Sequence, residues 1–245
     1  VVPALYSPNS STVDVRLLAC AASTFSTKDT LMEATALSSD NGKAEPKGKA
    51  QYDESKIKTL SSLEHIRLRT GMYIGRLGSG SDPDDGIYIL LKEVVDNAID
   101  EFIMGHGKEV DVSIENDTVC IRDHGRGIPL GKIVECVSVI NTGAKYNDDV
   151  FQFSVGLNGV GTKAVNALSS HFRVTAYRSG QYAEAVFKRG ALVSHTNKGK
   201  TDEADGTFVE FLPDTEIFGD YEFNYEFVER RMWNYACLNS GLRLT

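Results

Sequence analysis

The chain has 245 residues, 41% of them hydrophobic and 24% charged, enough apolar side chain for the core of one ordinary domain plus an extension. Its net charge of −8 excludes a surface that grips phosphate backbones non-specifically as a whole, though not a local basic groove. No apolar run approaches the roughly 18 residues needed to span a bilayer, and Cys20, Cys120, Cys136 and Cys237, widely spaced with no C-x-x-C, read as reduced thiols of a cytoplasmic protein.

Residues 1–50 are rich in Ser, Thr, Ala and Gly, and residues 38–49 contain no apolar side chain besides alanine. Such a stretch cannot bury enough surface to offset its ordering entropy, which predicts a disordered leader or linker. Leu17-Leu18-Ala19-Cys20 loosely resembles a lipoprotein cleavage site, but Asp14 and Arg16 interrupt the run before it, which argues against export. From Tyr52 onward the texture changes. Leu60–Leu68 has a short helical pattern, Gly71–Gly75 reads as a turn, and Gly78–Gly86 as a polar loop. Ile87–Gly105 is the main helix, stopped by Gly105 and Gly107.

Val110–Ile114 and Thr118–Arg122 alternate like two strands of a hairpin turning at Glu115-Asn116-Asp117, and the second runs directly into Asp123. A helix is predicted over Lys132–Ile140, then a Gly/Asn/Asp-rich loop over Asn141–Asp149, then a Gly156–Gly161 turn opening a helix over Thr162–Leu168. Phe172–Tyr177, Tyr182–Lys188, Ala191–Thr196 and Thr207–Leu212 read as strands of a meander, and Glu222–Leu238 as a closing helix. Leu242–Thr245 alternates like one more strand, and together with a start at Val1 it suggests a fragment at one or both ends. This order predicts an α/β fold, a two-layer sandwich with helices on one face of a mixed sheet.

Three segments carry the chemistry. On the main helix, Glu93, Asn97 and Asp100 fall within about 60° of one another, while Leu91, Val94, Val95, Ala98 and Phe102 share the opposite side. A carboxylate one turn before an amide can orient and deprotonate a water while the Asn97 carbonyl oxygen binds magnesium held otherwise by phosphates and water. Asp100 and Glu101 read as supporting residues, Glu101 with Arg126. In Asp123-His124-Gly125-Arg126-Gly127-Ile128-Pro129, Asp123 ends a strand where it can accept from an exocyclic amine such as that of adenine. Gly125 and Gly127 are expected to let a flat base approach. In Gly156-Leu157-Asn158-Gly159-Val160-Gly161-Thr162-Lys163, the glycines can point backbone N–H groups at an anion in front of a helix N-terminus. The Gly-Lys-Ser/Thr ending of a Walker loop is out of register, and the early Gly-rich unit of a dinucleotide fold is missing.

Taken together these segments resemble the ATPase superfamily that groups gyrase, the ninety-kilodalton heat-shock chaperones, sensor histidine kinases and MutL proteins. Tyr52–Ile57, Arg69–Gly75, Glu93–Glu101, Gly125–Pro129 and Val165–Ser169 look like one branch, the B subunits of bacterial type IIA topoisomerases (gyrase and topoisomerase IV), over roughly residues 51–245. The resemblance implies an ATPase domain over 51–245 that binds ATP and Mg2+, closes as a homodimer around DNA, and works with a tyrosine-bearing A-type subunit in the cytoplasm, without a membrane. It implies Glu93 as general base, Asn97 as magnesium ligand, and Asp123 as adenine reader, helped by Gly127 and Thr207. Asp100, Ile128, Pro129, Val94 and Phe151 would complete the pocket. Lys145, Tyr146 and Leu157, Asn158, Gly159, Val160 and Gly161 would meet the phosphates, under a lid spanning about residues 131–161. Tyr52 would reach across to a partner's nucleotide, with Tyr73 in the same neighbourhood.

Departures from the branch pattern are His124 for a second Asp, Ala144 and Asn158 for Gly and His, and a short lid. An arginine that gyrases often carry beside the pocket mouth falls, without gaps, at Glu184, which argues against coumarin-type inhibitor binding. A phosphate-sensing lysine comes from a second domain in the family, so this chain alone is expected to hydrolyse slowly. Two other readings stay open: phosphotransfer by a histidine-kinase-like domain, and a nucleotide-dependent dimerisation module without turnover. His65, His106, His171 and His195 lack ligand spacing, and Trp233 and Tyr235 read as core residues.

Overall fold

Alternation in the strands separates the two faces of a sheet, and the helices cover only the apolar one. The computed structural model describes residues 54, 57–143 and 159–245. The leader expected over residues 1–50 lies outside them. One compact unit includes Leu60–Thr245; a second, Val15–Thr59, falls almost wholly outside the described residues.

Helix α1 (Ser62–Leu68) opens on a complete capping box between Ser61 and Glu64. The expected turn after it is instead a single helical turn, α2 (Gly71–Ile74), closed by Gly75 at φ 70°. The polar loop that follows wraps a fully buried carboxylate. Asp85 accepts from the N–H of Gly80 at 2.9 Å and of Asp82 at 3.2 Å, and pairs with Arg76 at 2.6 Å. That carboxylate sits at the start of α3 (Gly86–Ile103), the main helix.

Strands β1 (Glu109–Glu115) and β2 (Thr118–Asp123) form the expected hairpin. Asn116 and Asp117 adopt φ of 48° and 61°, the left-handed pair that a two-residue turn requires and that these residue types tolerate. A 3-10 turn at Leu130–Lys132 precedes α4 (Ile133–Ser138), so the predicted helix begins later and ends earlier. Then come α5 (Gly161–Ala167), β3 (Ser169–Arg178), β4 (Gln181–Lys188), β5 (Ala191–Lys200), β6 (Gly206–Pro213), α6 (Thr215–Phe218), α7 (Tyr225–Leu238) and β7 (Arg243–Leu244).

The seven strands run in the order β5-β4-β3-β6-β2-β1-β7. The pair β1–β7 is parallel and the others are antiparallel, giving the mixed sheet expected. Register aligns Val119, Phe211, Phe172 and Phe187 across four strands on the helix-covered face, all buried. The next core row is Ile121, Val209, Val174 and Ala185. Ile87, Leu90, Leu91, Val95 and Ile99 of α3 fill the space above them. The opposite face carries Cys120, Glu210 and Arg173, with Arg122, Thr175 and Glu184 beside them, and the Arg122 guanidinium lies 4.5 Å from the Tyr177 ring centre. Among the described residues no helix is long and apolar enough to cross a membrane.

Fully buried Asp214 ties the helices to the sheet. It accepts from Arg67 of α1 at 2.7 Å, pairs with Arg189 of the β4–β5 turn at 3.1 Å, and caps α6 through the Glu216 N–H. Removing it takes the buried partner from two guanidinium groups at once, leaving Arg67 with the Ala167 carbonyl at 2.7 Å and Arg189 with Glu216 at 2.7 Å. Asp214→Ala should lower stability by about 1–3 kcal/mol, the cost of lost hydrogen bonds to a buried acceptor when the donors keep other partners, measured as a shift in urea midpoint at unchanged slope.

Candidate functional site

A cavity of about 920 Å³ opens between α3, the end of β2, the Gly125–Pro129 segment and the start of α5. Glu93 and Asn97 reach it from α3, Asp123 and Thr207 from the sheet, and Gly159, Val160 and Gly161 from the glycine segment. Three stretches remote in sequence therefore share one wall. Tyr73, Val94, Gly127, Ile128 and Pro129 also line it, as the resemblance implies. Lys145, Tyr146, Phe151, Leu157, Asn158 and Tyr52 lie outside the described residues.

Asp123 is buried, 8% exposed. Its Oδ1 accepts from the backbone N–H of Gly125 at 2.9 Å and of Thr207 at 3.1 Å, bonds in which Oδ2 takes no part. Burial pushes its pKa up to about 6, against the opposing pull of those two N–H groups. The two glycines after it also meet protein closely. A Cβ at Gly125 would lie 2.7 Å from the Glu101 side chain, and one at Gly127, at φ 71°, would lie 2.4 Å from the Tyr177 carbonyl oxygen. Both positions need glycine because protein already fills the space. The Glu101–Arg126 pair expected from sequence is present: Glu101 accepts from the Arg126 N–H at 2.9 Å and from its guanidinium at 3.0 Å.

Asn97 donates through Nδ2 to the Glu93 carbonyl at 2.7 Å and to the Thr162 hydroxyl at 3.0 Å. Those bonds fix the amide with Oδ1 as its acceptor end. The Glu93 carboxylate lies against α5 so closely that a Cβ at Gly161 would be 1.8 Å from its Oε2. Gly161 is therefore what admits the carboxylate beside the first turn of α5. Asp100 is a correction. It is fully buried and is not among the residues that line the cavity, although Asp96 and Asn97, its neighbours on either side of that helix face, both do. Val94 and Ala98 belong to the buried core, as periodicity assigns them, and also wall the cavity.

The mouth supplies a second correction. Glu184 lies on the opposite face of the sheet, accepting from the Thr175 hydroxyl at 3.0 Å. Among the described residues Arg126 and Arg178 line the cavity, and Arg178 donates to the Gly127 carbonyl at 3.2 Å. The Glu184 argument against coumarin-type binding therefore fails. His124 turns away to Asp111, 3.2 Å from its carboxylate. Sequence reasoning also leaves out Lys92 and Lys163, which line the cavity. Lys163 is 4% exposed and donates to the Thr142 carbonyl at 2.7 Å; its place directly after the glycine segment is the signal that could have found it.

Residues 82–217 match the family described as "Histidine kinase-, DNA gyrase B-, and HSP90-like ATPase". The chain belongs to this ATPase family. Among its relatives, the B subunit of DNA topoisomerase 4 from Borreliella burgdorferi is 66% identical over 191 residues, covering 78% of this chain and 32% of that protein. The B subunit of DNA gyrase from Streptococcus pyogenes serotype M3 is 39% identical over 205 residues, covering 80% of this chain and 31% of that one. The chain thus spans about a third of the length of these curated relatives. The crystal structure of the 43K ATPase domain of Thermus thermophilus gyrase B in complex with an aminocoumarin aligns with a TM-score of 0.63 and 31% identity, over 76% of this chain and 48% of that one. The mixed sheet and its helices match that fold.

Since the folded pKa of Asp123 lies above its unfolded value, its charge opposes folding, and stability from this group falls as pH rises from about 4 to 6. Asn at this position can still accept both backbone N–H bonds. Asp123→Asn should equal wild type near pH 4 and exceed it by on the order of 2–3 kcal/mol at pH 7, read from urea unfolding across that window.

Proposed function

We propose that residues 51–245 form the ATP-binding and ATP-hydrolysing domain in the B subunit of a bacterial type IIA topoisomerase, with residues 1–50 as a leader. The observation that carries this reading is the shared cavity: a base candidate, an amide oxygen and an amine reader, Glu93, Asn97 and Asp123, open on one space. The identity to the B subunits of topoisomerase 4 and gyrase supports the branch.

Adenine enters with its exocyclic amine donating to Asp123 Oδ2, whose partner oxygen is clamped by two backbone N–H groups. The triphosphate then runs along the first turn of α5 toward Glu93, where Gly159, Val160 and Gly161 leave backbone in contact with it. Glu93 orients a water in line with the terminal phosphate and takes its proton. The residues fit Mg2+. One neutral oxygen donor, Asn97, faces the cavity, and no cluster of three or more His, Cys, Asp or Glu able to hold a metal exists among the described residues, as suits an ion held mainly by phosphates and water. When bound, the ion spreads the charge of the phosphates. Adding a carboxylate at position 97 would instead repel them.

In the assembled enzyme, ATP binding closes a homodimer around a DNA segment, and hydrolysis reopens it. The A-type subunit supplies DNA cleavage, in the cytoplasm. Phosphotransfer to a histidine is the weaker reading, since it needs no water-activating acid and leaves Glu93 without a task.

Glu93→Gln should abolish phosphate release while leaving ATP affinity within about threefold, measured by radiolabelled turnover and calorimetry. Normal turnover in that variant would reject the base assignment. Asn97→Ala should weaken ATP binding at least tenfold with magnesium present, an interaction worth about 1.4 kcal/mol or more, and by much less when the metal is chelated.

A further inference from the structure

Lys92, one residue before Glu93 on α3, lines the cavity without a role in the proposal above. Its ammonium is 2.5 Å from Asp96 Oδ2 and 3.9 Å from Glu93 Oε1. Asp96 is 2% exposed, and its other oxygen accepts from the Tyr235 hydroxyl of α7. Burial, then the Asp96 carboxylate, drive the Tyr235 pKa far above that of an ordinary phenol, so the hydroxyl stays a donor at every working pH. Asp96 is thus pinned from α7, and Lys92 cannot leave it without exposing an uncompensated buried charge. The ammonium is thereby kept beside Glu93.

This matters because the proposed reaction brings two negative groups together. A carboxylate that must face a terminal phosphate repels it. A cation held 3.9 Å from that carboxylate offsets it. We infer that Lys92 is a positioning residue for the terminal phosphate: held by Asp96 and Tyr235, it neutralises the repulsion between Glu93 and that phosphate, so that α7 sets how strongly the site prefers a triphosphate to a diphosphate. The inference rests on the nucleotide reading above. The plain alternative is that Lys92 and Asp96 form an ordinary i,i+4 helix pair, which would affect both nucleotides alike.

The test is calorimetric binding of ADP and of the non-hydrolysable imido analogue of ATP, with magnesium, to the whole chain. Lys92→Met should weaken the analogue on the order of tenfold relative to ADP, and Lys92→Arg should keep the wild-type ratio. Combining Lys92→Met with Glu93→Gln should restore the ratio, because the charge that needed offsetting is gone. Tyr235→Phe should shift it in the same direction as Lys92→Met by a smaller factor, since Asp96 then holds Lys92 more tightly and farther from Glu93. Unchanged ADP affinity shows that each variant is folded, and Lys92→Gln replaces Lys92→Met if the latter does not fold. Equal losses for both nucleotides, or a ratio that Glu93→Gln fails to restore, would overturn the role of Lys92. A wild-type ratio in Tyr235→Phe would remove α7 from it. If the wild-type chain binds neither nucleotide, the nucleotide reading itself falls, a result distinct from any of these.

Discussion

A charged carboxylate held almost out of water at the end of β2 is the constraint around which the site is arranged. Asp123 keeps its position because two backbone N–H groups, from Gly125 and Thr207, meet one of its oxygens. Those groups belong to different parts of the chain, and only the placement of β6 beside β2 brings Thr207 within reach. The packing there is close enough that a Cβ at Gly206 would lie 2.0 Å from the Asp123 carbonyl oxygen. A neutral amide would satisfy the same donors with less desolvation, so folding alone does not call for a charge at this point. A ligand that donates a hydrogen bond does.

The opposite wall follows a similar logic with helices. α3 and α5 are knit by the Asn97–Thr162 bond and by the fit of the Glu93 carboxylate against Gly161. Asn97 therefore does two things with one amide. Its nitrogen fixes the distance between the helices, and its oxygen is presented to whatever occupies the space between them. The polar groups of this wall stand on elements whose other sides are locked into the core by Leu91, Val95 and Val165, all fully buried. Rigid support on one side and open space on the other is what a site needs to hold reacting groups in place.

Much of this is legible in the chain itself. The strands alternate cleanly, so β1 to β4 and β6 fall within a few residues of their expected ends, and the left-handed turn at Asn116-Asp117 follows from residue type. The choice of Glu93, Asn97 and Asp123 follows from helical phase and from a strand ending in an acid. The failures have physical causes. Asp100 shares a helix face with Glu93 by angle, but it is fully buried and does not line the cavity. Gly125 and Gly127 read as openings for a ligand, and their close approach to Glu101 and Tyr177 is invisible in the sequence. Counting along the chain puts Glu184 at the pocket mouth, whereas strand alternation sends it to the far face and Arg178 stands at the mouth.

The sequence by itself determined the elements, the two-faced character of the sheet and the identity of the groups able to do chemistry, because period, turn residues and functional side chains are local properties. Only the tertiary structure decided which of those groups meet. The order β3-β6-β2 gives Asp123 its second amide, the approach of α5 to α3 gives Glu93 its seat, and α7 gives Asp96 its hydroxyl. Each of these contacts joins residues far apart in the chain, and no local pattern encodes the distance between elements that packing sets.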